Sequence, residues 1–151
     1  MKKIVLISCV SKKLSTKAKA KDIYISTLFK YSLAYAYSIQ PDEIFILSAL
    51  HHILELDKEI DPYDVTLCNV PKNKRKSGLR VLNAREKNEW GEKVIDQLSE
   101  LTDLENDTFI ILAGHEYIKP IISHIKHVEL PMDGLRQGER VKFLKNNLSR
   151  E

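Results

Sequence analysis

The amino-acid sequence predicts an α/β fold: a three-layer sandwich around a central, mostly parallel four-stranded sheet. Short apolar runs rich in β-branched residues recur along the chain, and segments with helical spacing of apolar residues lie between them. This alternation is typical of parallel strands joined by right-handed crossovers. Neither repeats nor a linker interrupt the pattern, so we expect a single α/β domain over residues 1–151.

Four segments have the pattern of strands. Lys3–Ser8, Glu43–Ser48 and Thr108–Ala113 are continuous apolar runs, which we expect to be buried on both faces. His127–Pro131 is shorter and more polar, and its proline is tolerated at the edge of a sheet. The first three segments therefore form the predicted centre of the sheet.

Helices are predicted from apolar residues at helical spacing and from the residues that stop them. The first covers residues 23–39 and ends before Pro41, which cannot continue a helix. The second covers residues 84–101, with Trp90 and Val94 facing inward. A short helix follows Gly114, and the last helix covers residues 137–148.

Composition limits the class of protein. Hydrophobic residues make up 43% of the chain and charged residues 30%, which is typical of a globular protein and excludes a disordered one. No apolar run approaches the roughly 20 residues that cross a bilayer, and the two cysteines have no metal-ligand spacing. We therefore expect a cytoplasmic protein with reduced thiols, no membrane partner and no cofactor.

Basic residues are concentrated in two segments, although the net charge is only +3. Many lysines between residues 2 and 30 are opposed by Asp22 alone, and a second basic block extends over residues 72–87. Such clusters attract phosphate-bearing ligands, either a nucleotide or a polynucleotide. Solvated loops that keep the protein soluble are the alternative interpretation.

Ligand binding is expected on one rim of the sheet. In open α/β proteins the loops at the carboxyl ends of the strands converge and bind ligands. Here these loops begin at Ser8, Ser48, Gly114 and Pro131. The sequence thus predicts that four loops, distant along the chain, form one crevice.

The first of these loops is polar and basic. The candidates for contacts to a phosphate or a sugar are Ser8, Cys9, Ser11, Lys12 and Lys13. The loop has no glycine, which excludes a dinucleotide fingerprint and a Walker loop, because both need glycine for close approach of a phosphate. Cys9 as a nucleophile activated by the lysines is a second interpretation, although small buried cysteines are common.

The second loop contains a dense cluster of chemical groups: Ser48, His51, His52, Asp57, Asp61, Tyr63 and Asp64. Asp57, Asp61 and His51 are candidate catalytic residues, because a carboxylate that activates water beside a histidine suits cleavage of a glycosidic bond. Ser48 and Tyr63 are candidates for substrate binding. Alternatively, residues 61–64 only cap a turn and one histidine packs beneath the loop. No metal site is expected, because adjacent histidines seldom ligate the same ion.

The two remaining loops supply further candidates. Gly114, His115 and Tyr117 lead from a strand into a helix, where free backbone N–H groups can bind an anion. A tight turn at Gly114 is the alternative. The last loop has two glycines, Gly134 and Gly138, which together with Arg136 and Arg140 would close over a ligand. Alternatively, the loop serves only as the entry to the last helix.

Several motifs occur together: Ser8-Cys9 with Lys12-Lys13, Ile23-Tyr24, Leu28-Phe29, Ser48-Ala49 to Leu54, Leu56-Asp57, Ile60 to Asp64, Thr66-Leu67, Ala113-Gly114 with Tyr117, Pro131, Gly134-Leu135 and Gly138. They resemble a family of small bacterial and phage proteins of uncharacterised function, distantly similar to the peroxide-stress protein YaaA. The resemblance covers nearly the whole chain. It implies an α/β sandwich of the uracil-DNA-glycosylase type and a nucleotide or nucleic-acid ligand. Members of the resembled family typically have glycine at the position of His52.

The leading hypothesis is a protein that binds a nucleotide, nucleoside or nucleobase on the rim, with hydrolysis of an N-glycosidic bond as its reaction. Asp57 or Asp61 would polarise water. His51 and Tyr63 would orient the base, and phosphate would be held by three cations: Lys12, Lys13 and Arg136. The alternative is a non-catalytic DNA-binding or nucleotide-sequestering module that also uses residues 72–87. A third possibility is a rim that binds another protein.

Overall fold

The structure, a computed structural model, describes residues 1–10 and 12–148. Its strands, in chain order, are β1 (Lys3–Ser8), β2 (Ala18–Lys19), β3 (Glu43–Ser48), β4 (His52–Glu55), β5 (Glu59–Ile60), β6 (Val65–Thr66), β7 (Arg80–Val81), β8 (Thr108–Leu112) and β9 (His127–Glu129). Its α-helices are α1 (Ala20–Ile23), α2 (Thr27–Ser38), α3 (Ala84–Leu101), α4 (His115–Ile118) and α5 (Gln137–Leu148). Short 3-10 helices lie at Lys72–Lys74 and Ile122–His124.

Within the described part of the chain, five strands form the central sheet in the order β4-β3-β1-β8-β9. The strands β3, β1, β8 and β9 run parallel to one another, whereas β4 runs antiparallel to β3. The predicted α/β sandwich is confirmed, but the expected number of four strands is wrong. The additional strand is β4, whose apolar pair Ile53 and Leu54 is too short to be distinguished from a loop by its pattern.

A tight turn joins β3 to β4 and reverses the chain. His52, which pairs with Ser48, has a φ of 67°, in the left-handed region that favours glycine. The backbone N–H of Ile53 donates to Oε1 of Gln97 on α3 at 2.8 Å, so this edge strand is partly covered. Because of the reversal, Leu56 and Asp57, which directly follow β4, lie away from the carboxyl ends of the parallel strands.

Helices cover both faces of the sheet. The connection from β1 through α2 reaches β3 on one side of β1, and the connection through α3 returns to β8 on the other side. Since parallel crossovers are right-handed, this change of direction places α2 and α3 on opposite faces. The last helix, α5, packs against α2 and shares its face.

The core is built on the central strands, as their apolar pattern predicts. Residues 4–7 of β1 and 109–112 of β8 are all buried, and β3 contributes Ile46 and Leu47. These side chains pack on both faces, where each fully buried aliphatic group stabilises the fold by about 1.5–3 kcal/mol. The ends of three adjacent strands are thereby held rigidly at the rim.

Side-chain caps set the starts of the two long helices. Oδ1 of Asn83 accepts from the backbone N–H of Glu86 at 2.8 Å, and Oε1 of Glu86 accepts from the N–H of Asn83 at 3.0 Å. This capping box starts α3 at the predicted residue. Oγ of Ser26 accepts from the N–H of Phe29 at 3.2 Å, so α2 begins at Thr27 and not at residue 23 as predicted. None of the described helices has the length and apolar character needed to cross a membrane.

Candidate ligand-binding site

A cavity of about 420 Å³ opens at the carboxyl end of the sheet. It lies between Ser8, at the end of β1, and Gly114, which follows β8. From these two neighbouring strands the chain departs toward opposite faces, and ligands of open α/β proteins bind at such points. The volume is within the range of small-molecule sites.

One wall of the cavity is formed by an excursion of the chain, here called the wall loop (residues 68–79). The parallel pairing of β6 with β7 closes its base. A second contact, between Nζ of Lys76 and Oδ1 of Asp64 at 2.8 Å, joins the loop to the residue before β6. The wall loop is exposed over most of its length, yet both of its ends are fixed.

Cations outnumber carboxylates around the cavity. Among the described residues, four cations and one carboxylate line it: Lys13, Lys74, Lys76, Arg140 and Asp64. Nε of Arg140 donates to the carbonyl oxygen of Leu135 at 2.9 Å, which orients its guanidinium group. This excess of positive charge favours an anionic ligand.

Lys13 is held on both its backbone and its side chain. The backbone pairs with Tyr24 in an antiparallel bridge, flanked by hydrogen bonds from Leu14 to Ile23 and from Ile25 to Lys12. Nζ of Lys13 lies 4.4 Å from the centre of the Tyr63 ring. Burial lowers the pKa of Lys13, and the attraction of nearby Asp64 opposes this change.

Behind Lys13 lies a layer of buried hydroxyl groups. The hydroxyl of Tyr63 is 2.6 Å from that of Tyr24 and 2.8 Å from Oγ of Ser48. Oγ of Ser48 also accepts from the backbone N–H of His51 at 3.0 Å. Burial raises the pKa of Tyr63 well above its usual value, so its hydroxyl stays protonated and can donate.

Tyr117 joins three segments at the cavity. Its hydroxyl is 3.3 Å from Sγ of Cys9 and 3.5 Å from Oγ1 of Thr66. Its ring packs edge-on against Trp90, with the ring centres 5.7 Å apart. Burial raises the pKa of Tyr117 far above its usual value, so this hydroxyl also stays neutral.

Comparison with known proteins assigns the chain to a family. Residues 4–146 match a family of unknown function, DUF6884. The chain belongs to this family. No curated protein matches it. The DUF6884 match spans β1 to α5 and includes every residue that lines the cavity, but it gives no link to YaaA, so that part of the resemblance stays a prediction.

Within this DUF6884 chain, the predicted site residues fall into three groups: those that line the cavity, those that lie behind the lining, and those that lie elsewhere. Those that line the cavity are Ser8, Cys9, Lys13, Gly114 and Tyr117. The candidate Ser11 lies outside the described residues. Ser48 and Tyr63 lie behind them in the hydroxyl layer, and the ring of His51 packs edge-on against Tyr63 at 5.5 Å. His51 therefore supports the layer and does not line the cavity.

The two predicted catalytic carboxylates lie away from the cavity. Oδ1 of Asp57 is 3.2 Å from Nζ of Lys21, and the Asp57 side chain is 75% exposed. It borders a separate cleft with Asp42 and Glu43, at the amino end of β3, because the antiparallel strand β4 carries the chain back to that end. Asp61 is exposed after β5 and does not line the cavity either. Among the described residues, the carboxylate that lines the cavity is Asp64.

Four further candidates also lie outside the cavity lining: Lys12, His115, Gly134 and Arg136. Successive side chains in an extended segment point to opposite sides, so Lys12 cannot face the cavity together with Lys13. Arg136 is exposed beside Glu139. Gly134 has a φ of 79° in a turn, and the helix after Gly114 is only one turn long. Gly114 itself has an extended backbone with a φ of −77°, so it does not supply the unusual conformation that the turn interpretation requires.

Some lining residues were not among the predicted site residues: Asp64, Thr66, Cys68, Lys74 and Lys76. Arg140, which was predicted to close over a ligand together with Arg136, does line the cavity. The sequence feature that could have identified Lys74 and Lys76 is the basic block of residues 72–87, which was interpreted as separate from the rim. The pairing of β6 with β7 folds this segment back over the rim. No group of three His, Cys, Asp or Glu side chains suited to a metal ion occurs in the described part of the chain.

Proposed function

We propose that the protein binds a nucleotide in the cavity, with the phosphate at the cationic side chains and the base against the apolar part of the lining. The excess of cations over carboxylates around a cavity of about 420 Å³ is the observation that carries the proposal. The apolar lining suits a base and includes Val10, Leu28, Val65, Val70 and Leu79. The predicted resemblance to YaaA-like proteins implies the same nucleotide theme.

A single nucleotide is favoured over a polynucleotide by the ion pairs of the basic block. Three of its cations pair with Asp64, Glu89 and Glu116 at 2.6–3.1 Å, and Arg80 pairs with Glu86. Paired charges neutralise one another and leave less net attraction for a phosphate backbone. The DNA-binding alternative therefore has weaker support than binding in the enclosed cavity.

Hydrolysis of an N-glycosidic bond would require a carboxylate beside the sugar. Asp64 takes this role in the proposal, in place of Asp57 and Asp61, because it lines the cavity and they do not. Its carboxylate would stabilise an oxocarbenium-like sugar and orient the attacking water. Asp64→Asn should then abolish release of the base while nucleotide binding persists.

Binding is tested by titrating ribo- and deoxyribonucleoside monophosphates against the emission of Trp90, the single tryptophan, which contacts the cavity residue Tyr117. We expect saturable binding of at least one monophosphate with one site per chain. Arg140→Gln should weaken it about tenfold, the value of one charged hydrogen bond. Arg136→Gln, a change of the same chemistry outside the cavity, should alter affinity by less than about twofold.

Two results would contradict the proposal. One is the absence of binding by every monophosphate, confirmed by calorimetry. The other is equal loss in the Arg136 and Arg140 variants, which would place binding outside the cavity. Tight binding of single-stranded DNA with a salt dependence near one power per phosphate contact would favour the polynucleotide alternative instead.

A further inference from the structure

Tyr63 was expected to contact the ligand, yet it does not line the cavity, while Lys13 in front of it does. The ammonium group of Lys13 lies 4.4 Å from the centre of the Tyr63 ring, close enough for a cation–π interaction. The second ring, that of Tyr24, is 5.7 Å away. Lys13 thus both contacts an aromatic ring and lines the cavity.

We propose that Tyr63 is a positioning residue whose ring holds the Lys13 ammonium group at the cavity, where it binds the phosphate of the ligand. This inference rests on the function proposed above. It assigns the phosphate contact to one of the two adjacent lysines and gives the buried hydroxyl layer a role in binding.

The ring is well fixed for this task. Its hydroxyl has partners on two other segments, Tyr24 and Ser48, and the imidazole of His51 packs against it edge-on. A lysine side chain loses much rotamer freedom when it binds a ligand, and a preformed position reduces that cost. The backbone bridge between Lys13 and Tyr24 fixes the other end of the same side chain.

The ring also favours the charged form of the amine. Burial lowers the pKa of Lys13, which would weaken a phosphate contact if the amine became neutral. The negative face of an aromatic ring attracts a cation and compensates for part of the lost hydration. Tyr63 therefore acts on both the position and the charge of Lys13.

The experiment measures binding of inorganic pyrophosphate, which has no base and depends on cations alone, by calorimetry at low ionic strength. Tyr63→Phe is compared with pentafluorophenylalanine at position 63, which keeps the ring shape but removes its negative face. We expect the fluorinated ring to weaken binding about three- to tenfold relative to Tyr63→Phe. Tyr63→Phe itself should lower the melting temperature, because Tyr24 and Ser48 lose a partner, and should weaken binding by less than the fluorinated ring does, because the negative face of the ring remains.

Lys13→Met tests whether the ring acts through the lysine. It should weaken binding about tenfold, and the fluorinated ring should then have no further effect. Lys12→Met, the matched control, should change affinity by less than about twofold. Additive effects of the two changes, or a loss in Tyr63→Phe as large as that of the fluorinated ring, would overturn the inference.

These outcomes separate the inference from the proposed function. If pyrophosphate binding depends on Lys13 and Arg140 but not on the electronic character of the ring, the function stands and only the role of Tyr63 is wrong. If the unaltered protein binds a nucleoside monophosphate but no pyrophosphate, the inference fails and the function stands. If it binds neither, both fail.

Discussion

Single polar side chains connect segments of the rim that are distant in the sequence. The Tyr117 hydroxyl contacts Cys9 and Thr66, and Nε1 of Trp90 donates to the carbonyl oxygen of Ser48 at 2.8 Å. Each such hydrogen bond contributes only about 1 kcal/mol. The shape of the cavity therefore depends on several weak contacts together, and changes at its edge should be tested for stability as well as for binding.

His52 gives a prediction at the scale of one residue. Its φ of 67° costs a side-chain-bearing residue about 1 kcal/mol relative to glycine. His52→Gly and His52→Ala remove the same ring, so their difference isolates the backbone effect. We expect the glycine variant to melt about 2–4 °C above the alanine variant, measured by circular dichroism.

A matched pair at Gln40, whose φ is 50°, should behave alike. Gln40→Gly should be more stable than Gln40→Ala. Equal melting temperatures of the glycine and alanine variants at position 52 would show that the turn relaxes at no cost.

Whole elements differ in how far the sequence determines them. Lys3–Ser8, Glu43–Ser48, Ala84–Leu101 and Gln137–Leu148 were predicted with the bounds observed, because long periodic segments and caps act locally. The hairpin strand β4 and the two-residue strands of β2–β5 and β6–β7 were not, because pairing partners alone define them. A glycine at position 52 would have been the missing turn signal.

Packing of α3 gives a prediction at the scale of an element. A Cβ atom on Gly91 would lie 2.6 Å from the carbonyl oxygen of Pro120 and 2.7 Å from its Cβ. Alanine is the better helix former by about 1 kcal/mol, but overpacking against backbone costs about 1–3 kcal/mol. We expect Gly91→Ala to lower the free energy of unfolding in urea by up to about 2 kcal/mol.

Gly138 in α5 is the control, because a Cβ atom there would meet nothing within 4 Å. Gly138→Ala should stabilise the protein by about 0.5–1 kcal/mol from helix propensity alone. A gain in both variants would mean that α3 can shift away from Pro120 without loss.

At the scale of the whole molecule, topology decides which side chains meet at the rim. Ser8 and Gly114 could be placed there from the sequence, because each directly follows a parallel strand. Asp57 could not be placed correctly, because its position depends on the direction of β4, a long-range property. Lys74 and Lys76 are distant from Ser8 along the chain, and they share its cavity because the pairing of β6 with β7 folds their segment over the rim.

The amino end of the sheet, opposite the cavity, gives a prediction for the whole molecule. Asp107 is buried there and accepts from the backbone N–H groups of Asp103 at 2.9 Å and Lys2 at 2.8 Å, which joins the starts of β1 and β8 to the end of α3. These hydrogen bonds hold the pKa of Asp107 below its ordinary value of 3.8. A carboxyl with a lowered pKa in the folded state stabilises the protein above its unfolded pKa, and this stabilisation is lost as the pH falls through the folded value.

Asp107→Asn should therefore melt well below the unaltered protein at pH 7, and the two melting temperatures should converge as the pH falls below about 4. Asp96→Asn, an exposed change on α3, should leave the pH profile unchanged. If the difference in melting temperature between Asp107→Asn and the unaltered protein stayed constant from pH 7 to pH 3, the negative charge of Asp107 would not contribute to stability.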